Sequence, residues 1–170
     1  MPSRFSPRSL PSVLAAAALC LAAAAVPASA QAPDAELKGI TAVGLVVEEI
    51  GSQALSCGFS RDTIEKAVMP ILTAGGLKVL RNADEDTFLY VKVNSLSVSS
   101  GVCVSRFDVA LYTHTTAKLS YGLEPVLVQI ALLNAGGLSG GTVPGHAENV
   151  MKNVKQYVEQ FVSRIRAVNK

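Results

Sequence analysis

Apolar and polar side chains alternate along residues 87–98 and 102–114, on either side of Ser99-Ser100-Gly101. An alternation of period two is typical of strands with one buried face, and a short connection containing glycine is typical of a β-hairpin. Pairing Val98 with Val102 sorts the side chains by polarity. Six apolar residues then share one face: Leu89, Val91, Val93, Phe107, Val109 and Leu111.

The other face of this predicted hairpin is polar. The same pairing sets Lys92 opposite Asp108 and Asn94 opposite Arg106, so unlike charges lie across the ladder. Tyrosine and arginine are enriched where proteins bind each other. The face is therefore a possible partner face, although a plain solvated sheet face is the simpler alternative. Its candidate residues are Tyr90, Lys92, Arg106, Asp108 and Tyr112, with His114 continuing the same face.

The rest of the chain indicates three more strands and two helices. Residues 40–50 and 126–133 are largely apolar on both alternating sets, as strands covered on both faces are, and residues 77–80 are predicted to form a short strand. Ser60 is a candidate N-cap for a helix that ends at Gly75-Gly76, and Pro70 is expected to kink or shorten it. Residues 51–58 are predicted to form a loop, and a helix is predicted from Ala147 to Val168.

Residues 134–146 are glycine-rich and are predicted to form a loop before the last helix. Backbone N–H groups at a helix N-terminus can hold an anion, which makes the loop 135–146 a possible ligand loop. The sequence lacks the Walker spacing and its lysine, and a flexible connection explains it equally well. The candidate ligand residues are Gly136, Gly137, Gly140, Gly141, Gly145 and His146.

The element order β-α-β-β-β-β-α predicts an α+β fold. We expect a two-layer sandwich, with a mostly antiparallel sheet of about five strands and two helices on one face. In topology only, this order resembles small envelope domains, such as the N-terminal domain of the Tol-system propeller protein and outer-membrane assembly lipoproteins. The likeness transfers no site residues.

Residues 1–30 have the pattern of a cleavable signal peptide. Arg4 and Arg8 precede an apolar run, and Ala28-Ser29-Ala30 provides a cleavage site of small residues. A membrane anchor is the alternative, but the run is alanine-rich and no basic flank follows it. Leu19 before Cys20 argues against a lipid-modified cysteine. We expect an exported chain with a flexible lead-in at 31–39, one domain at 40–170 and no integral membrane segment after cleavage.

Two cysteines remain after that cleavage. Export leads to an oxidising compartment, where an isolated pair usually forms a disulfide, so Cys57 and Cys103 are predicted to be bonded. Buried free thiols are the alternative. No ligand spacing of cysteine and histidine favours a metal site, and no C-x-x-C favours a redox role.

Charge and chemistry narrow the function without naming it. The chain has 15 Lys and Arg against 13 Asp and Glu, but Arg4 and Arg8 belong to the leader, so the remainder is neutral. A neutral domain gives no reason to expect nucleic-acid binding. We find no catalytic constellation and expect no metal and no cofactor. The expected function is a non-catalytic envelope binding or adaptor domain, possible partners being envelope proteins. The alternative is a small-molecule or anion-binding protein, or a weak hydrolase, that uses the loop 135–146.

Overall fold

A computed structural model describes residues 32–80, 86–143 and 145–170, so the predicted signal peptide and residue 31 lie outside the described part of the chain. The described part of the chain contains one 3₁₀ turn, three α-helices and five strands. In order, its elements are the 3₁₀ turn η1 (Ala35–Leu37), β1 (Ala42–Val47), α1 (Ser52–Ser56), α2 (Arg61–Ala74), β2 (Lys78–Leu80), β3 (Thr87–Ser99), β4 (Val102–Ala117), β5 (Val126–Thr142) and α3 (Gly145–Val168).

In the described residues the strands form a single five-stranded sheet in the order β2-β1-β3-β4-β5. Strand β1 is parallel to both β2 and β3, whereas β3, β4 and β5 form an antiparallel meander. A parallel pair needs a crossover, and α1 and α2 supply it between β1 and β2. The predicted α+β fold with a mostly antiparallel sheet is therefore confirmed.

The register of the β3–β4 hairpin is the predicted one along most of its length. Leu89 lies opposite Leu111, Val91 opposite Val109, and Val93 opposite Phe107. All six side chains are buried beneath the helices. The predicted turn differs, because a bulge at Val98 pairs Ser99 with Val102, leaving a two-residue turn at Ser100-Gly101. Gly101 has a φ of +74°, which glycine adopts without strain.

The two predicted helices cover the apolar face of the sheet. The Ser60 hydroxyl accepts a hydrogen bond from the Thr63 N–H and caps α2, as predicted. The helix continues to Ala74, so Pro70 does not shorten it. The long helix α3 buries one stripe at helical spacing against the sheet. The members of that stripe are Val150, Val154, Val158, Phe161 and Ile165. None of the described helices is long and apolar enough to cross a membrane.

A disulfide joins the helical layer to the sheet. The predicted pairing is confirmed: Cys57 follows α1, Cys103 lies in β4, and their Cα atoms are 6.0 Å apart. Both residues are buried in the core. The short helix α1 was not predicted. It has only five residues, and Ala54 is the one side chain it buries, so the sequence shows no helical periodicity there.

Residues 33–39, which were predicted as a flexible lead-in, pack against the end of α3. Leu37 is fully buried in the core. The side chain of Asn169 bonds this segment twice, accepting from the Gly39 N–H at 2.6 Å and donating to the Leu37 carbonyl at 3.0 Å. Arg164 of α3 also forms a bidentate ion pair with Asp34. The polar residues that indicated a lead-in thus hold one apolar anchor against the end of α3.

Candidate partner-binding face

The candidate site is the sheet face opposite the helices, which we call the open face. It is built from the alternate residues of β3 and β4 that point away from the core, together with their neighbours on β1 and β5. All five residues of the predicted partner face lie on it. Arg106 is exposed and the other four are half-buried: Tyr90, Lys92, Asp108 and Tyr112.

Aromatic rings occupy the end of the open face near the start of β3. The ring of Phe88 lies 5.7 Å from that of Tyr112 and 5.4 Å from that of His114, and Tyr90 packs edge-on against Tyr112 at 6.1 Å. Such geometries add to the stability of the pairs beyond area burial alone. Phe88 is buried among its neighbours and anchors this aromatic cluster to the sheet.

Ion pairs cross the middle of the open face. Lys92 lies opposite Asp108 in the ladder, as predicted, but its Nζ pairs with Glu48 Oε1 at 3.0 Å. Asp108 pairs instead with Arg106 on its own strand, Nε to Oδ2 at 3.1 Å. The difference arises because the chain after β1 continues beside β3, where the Glu48 N–H donates to the Val91 carbonyl at 2.9 Å. Glu48 was not singled out from the sequence.

Glu48 and Tyr90 are coupled electrostatically at the edge of the aromatic cluster. Burial, and then the neighbouring Glu48 carboxylate, raise the pKa of Tyr90 to about 12. The Tyr90 hydroxyl, followed by Lys92, lowers the pKa of Glu48. The second carboxylate oxygen of Glu48, Oε2, is buried and has no hydrogen-bond partner of good geometry within the described residues. Near neutral pH the face thus presents a neutral phenol beside a carboxylate.

Three exposed aliphatic side chains occupy the other end of the open face, and sequence reasoning did not single them out. Leu96 and Val104 are cross-strand partners, and Leu138 lies opposite Arg106. Their exposed fractions are 54%, 40% and 77%. The register that assigned Lys92 and Arg106 to this face also assigns Leu96 and Val104 to it, so extending the alternation by two residues would have found them.

The glycine-rich segment is a strand, so the predicted loop at 134–146 is wrong. Residues 134–142 belong to β5 and pair with β4 without interruption. A Cβ on Gly137 would lie 3.0 Å from the ring of Phe107, which stacks on Tyr157 of α3. A Cβ on Gly136 would lie 2.6 Å from the Phe107 carbonyl oxygen. These two glycines therefore permit close packing on β4, and glycine composition alone had indicated a loop.

Gly136 also shapes the open face. Without a side chain there, a shallow hollow of about 510 Å³ remains on this face. Its walls include the Arg106–Asp108 ion pair and Leu138. The structure thus brings together residues of the two predicted sites, the partner face and the glycine-rich segment, at one place.

His146, the remaining candidate ligand residue, lies in the core. Its side chain is 2% exposed, and Nε2 is 2.7 Å from the Ser105 hydroxyl, which is itself 2.6 Å from the Ser95 hydroxyl. Its Nδ1 is buried and has no partner within the described residues. Burial lowers the pKa of His146. A serine and a histidine in contact suggest nucleophilic catalysis, but Ser105 is fully buried and cannot reach a substrate in this conformation. Gly145 is exposed at the start of α3.

Neither a metal-binding cluster in the described residues nor a similarity to known protein families or curated proteins was found. Across residues 32–80, 86–143 and 145–170, no three His, Cys, Asp or Glu side chains are grouped to hold a metal ion. Comparison of the chain with protein-family models and with curated proteins found no match.

Proposed function

We propose that the chain is an exported, non-catalytic binding or adaptor domain that recognises an envelope protein through the open face. The hollow beside Arg106 carries the proposal. Binding energy at protein interfaces concentrates where a side chain fills a pocket surrounded by other contacts. The hollow offers such a pocket, with an ion pair and Leu138 in its walls.

The chemistry around the hollow specifies the partner. The aromatic cluster on one side and the aliphatic end on the other offer apolar contacts, while the two ion pairs present both signs of charge. We expect a folded protein surface with a protruding side chain for the hollow and polar groups around it. Half-buried aromatic rings support this function, because they are held in place before binding and lose little conformational entropy.

Site-specific photo-crosslinking from Asn94 and Asn134 identifies and tests the partner. Both positions lie on the open face, and Asn134 lines the hollow. We expect the same protein to be captured from both. With that protein purified, the double substitution Tyr90→Ala and Arg106→Ala should raise its Kd by about tenfold or more, because truncated hot-spot residues cost over 1 kcal/mol.

Arg61→Ala with Lys66→Ala is the matched control on α2. Arg61 resembles Arg106 in exposure, 59% against 69%, and each is paired with an acid close along its own element. The control should leave the Kd unchanged. If the folded Tyr90→Ala, Arg106→Ala variant bound the partner as tightly as the wild type, the proposal would be refuted. It would also be refuted if the two double variants lost the same affinity.

A small anion in the same hollow is the second candidate, since Arg106 and the backbone of two glycines border it. Asp108 already pairs with Arg106, which disfavours an anion there. The two candidates differ in a thermal-shift measurement with millimolar inorganic phosphate. An anion site predicts a rise in Tm that Arg106→Ala abolishes, whereas a protein-binding face predicts no shift.

A further inference from the structure

The outer edge of β5 is long and carries no charge. Within the described residues β5 is the last strand of the sheet, and none of its 17 residues is charged. Exposed strand edges pair readily with other strands, and monomeric proteins usually block them with lysine, proline or a covering element. Within the described residues β5 contains no lysine or proline; it has a bulge at Leu132, and the Tyr157 hydroxyl of α3 donates to the Gly136 carbonyl at 3.4 Å, so its first half is the less protected part.

The first residues of β5 also extend past the start of β3. Strand β3 begins opposite Thr113, and the His114 N–H still bonds the Asp86 carbonyl at 2.7 Å, so within the described residues 115–117 and 126–128 form a two-stranded ribbon that carries the turn at 118–125. An isolated two-stranded hairpin is marginal in water. This ribbon nevertheless exposes large apolar side chains, with Leu127 at 73% and Leu123 at 90%.

One face of the ribbon edge is complementary to itself. Val126, Val128 and Ile130 alternate along β5 and point to one face. If two copies of β5 pair antiparallel about Val128, Val126 of each copy meets Ile130 of the other, and the two Val128 side chains meet at the two-fold axis. Cross-strand pairs of β-branched residues stabilise a ladder, and no like charges oppose each other.

We propose that two copies of the chain form a two-fold dimer through β5, centred on Val128. An antiparallel pairing about this residue would form a four-stranded ribbon with the rest of each sheet at opposite ends. The edge offers no charge to select an unrelated peptide, whereas its symmetry about Val128 fits a second copy. Both open faces of the dimer then point in one direction and can engage partners bivalently.

Analytical ultracentrifugation of the purified chain tests the dimer. We expect the dimer fraction to rise with concentration, and Val128→Lys to raise the dimer Kd by about tenfold or more, because it opposes two lysines at the axis. Gln160→Lys, at an exposed position on α3, is the matched control and should dimerise like the wild type. A wild-type chain that stays monomeric at all concentrations, or equal losses in both variants, overturns the proposal.

Cysteine crosslinking tests the register even if Val128→Lys does not fold. Under mild oxidation Val128→Cys should form a covalent dimer, because residues 128 of the two copies are direct cross-strand neighbours. Leu138→Cys lies on the same strand, but the register sets the two copies of this residue tens of ångströms apart, so it should stay monomeric. Crosslinking at 138 without crosslinking at 128 would contradict a dimer centred on Val128.

Discussion

Ser105 and His146 are buried polar side chains that connect the start of α3 to the sheet. A neutral His146 shares a hydrogen bond with the Ser105 hydroxyl, which also contacts Ser95. Leaving such a group unpaired in a core costs about 1–3 kcal/mol. The sequence cannot reveal this network, because Ser105 and His146 are 41 residues apart and meet only through the β4–β5 and α3 packing.

Acid should destabilise the fold through His146 near physiological pH. Burial lowers its pKa below the ordinary value of 6.5, so between these two values the unfolded chain binds more protons than the folded one. Stability is therefore greatest above about pH 6.5 and falls as pH drops through the window beneath it. Urea unfolding at pH 7.5 and 5.5 should give a lower midpoint at pH 5.5.

The chain's two histidines supply a matched pair of variants for this prediction. His146→Gln should weaken the pH dependence, whereas His114→Gln, on the open face, should retain it. Asp34 and Glu48 also have lowered pKa values, but their contributions are lost only below about pH 4.5. An unchanged midpoint between pH 7.5 and 5.5 in the wild type would contradict the burial of a neutral His146.

Strand β5 is the element where sequence reasoning and structure differ most. Its first half is β-branched and was predicted as a strand, but its second half contains four glycines and was predicted as a loop. The local glycine content favoured a loop. Packing overrides this preference, because the Phe107 ring lies so close to residue 137 that only a residue without a side chain fits there. The β3–β4 register was predictable because a one-residue slip would expose every core side chain of the hairpin.

Alanine substitutions at two glycines of β5 test whether this segment is a strand or a flexible loop. Gly136→Ala should destabilise the fold by about 1–3 kcal/mol, because its Cβ would lie 2.6 Å from a backbone oxygen of β4. Gly140→Ala places its Cβ 3.6 Å from Val104, an ordinary contact, and should be neutral or slightly stabilising. Urea unfolding measures both changes. A flexible loop would tolerate the two substitutions equally, and that result would contradict the strand.

The disulfide should contribute substantially to stability, because it joins the helical layer to the sheet and its two cysteines, Cys57 and Cys103, are 46 residues apart in sequence. Replacing both cysteines with serine should cost about 2–5 kcal/mol in the free energy of unfolding. Reductant should lower the wild-type urea midpoint and leave that of the double variant unchanged. A wild-type midpoint that resists complete reduction would contradict a stabilising role for the bond.

At the scale of the whole molecule, the sequence predicted the layers better than the surface. Amphipathic stripes decide which side of a helix or strand is buried, so the sandwich followed from the pattern. The hollow beside Arg106 was not predictable, because it depends on the close pairing of Gly136 with Asp108 across two strands. The partner face was predicted from composition and register, and its function remains a proposal.

Export is a separate prediction at this scale. If residues 1–30 are a signal peptide, intact mass and N-terminal sequencing of the chain recovered from an expressing cell's envelope should show a start at Gln31. A mature chain that retains Arg4 and Arg8, or that carries lipid on Cys20, would contradict the prediction.

The four tyrosines test the central claim directly, because they report on different surfaces. Tyr90 and Tyr112 lie on the open face, Tyr121 lies in the ribbon turn at 88% exposure, and Tyr157 of α3 stacks on Phe107. Hydroxyl-radical footprinting of the chain, with and without the purified partner that crosslinking identifies, compares the four tyrosines in one experiment. Recognition through the open face predicts protection of Tyr90 and Tyr112 on binding, with Tyr157 unchanged. Protection of Tyr157 with Tyr90 and Tyr112 unchanged would place the partner on the helical layer and contradict the account.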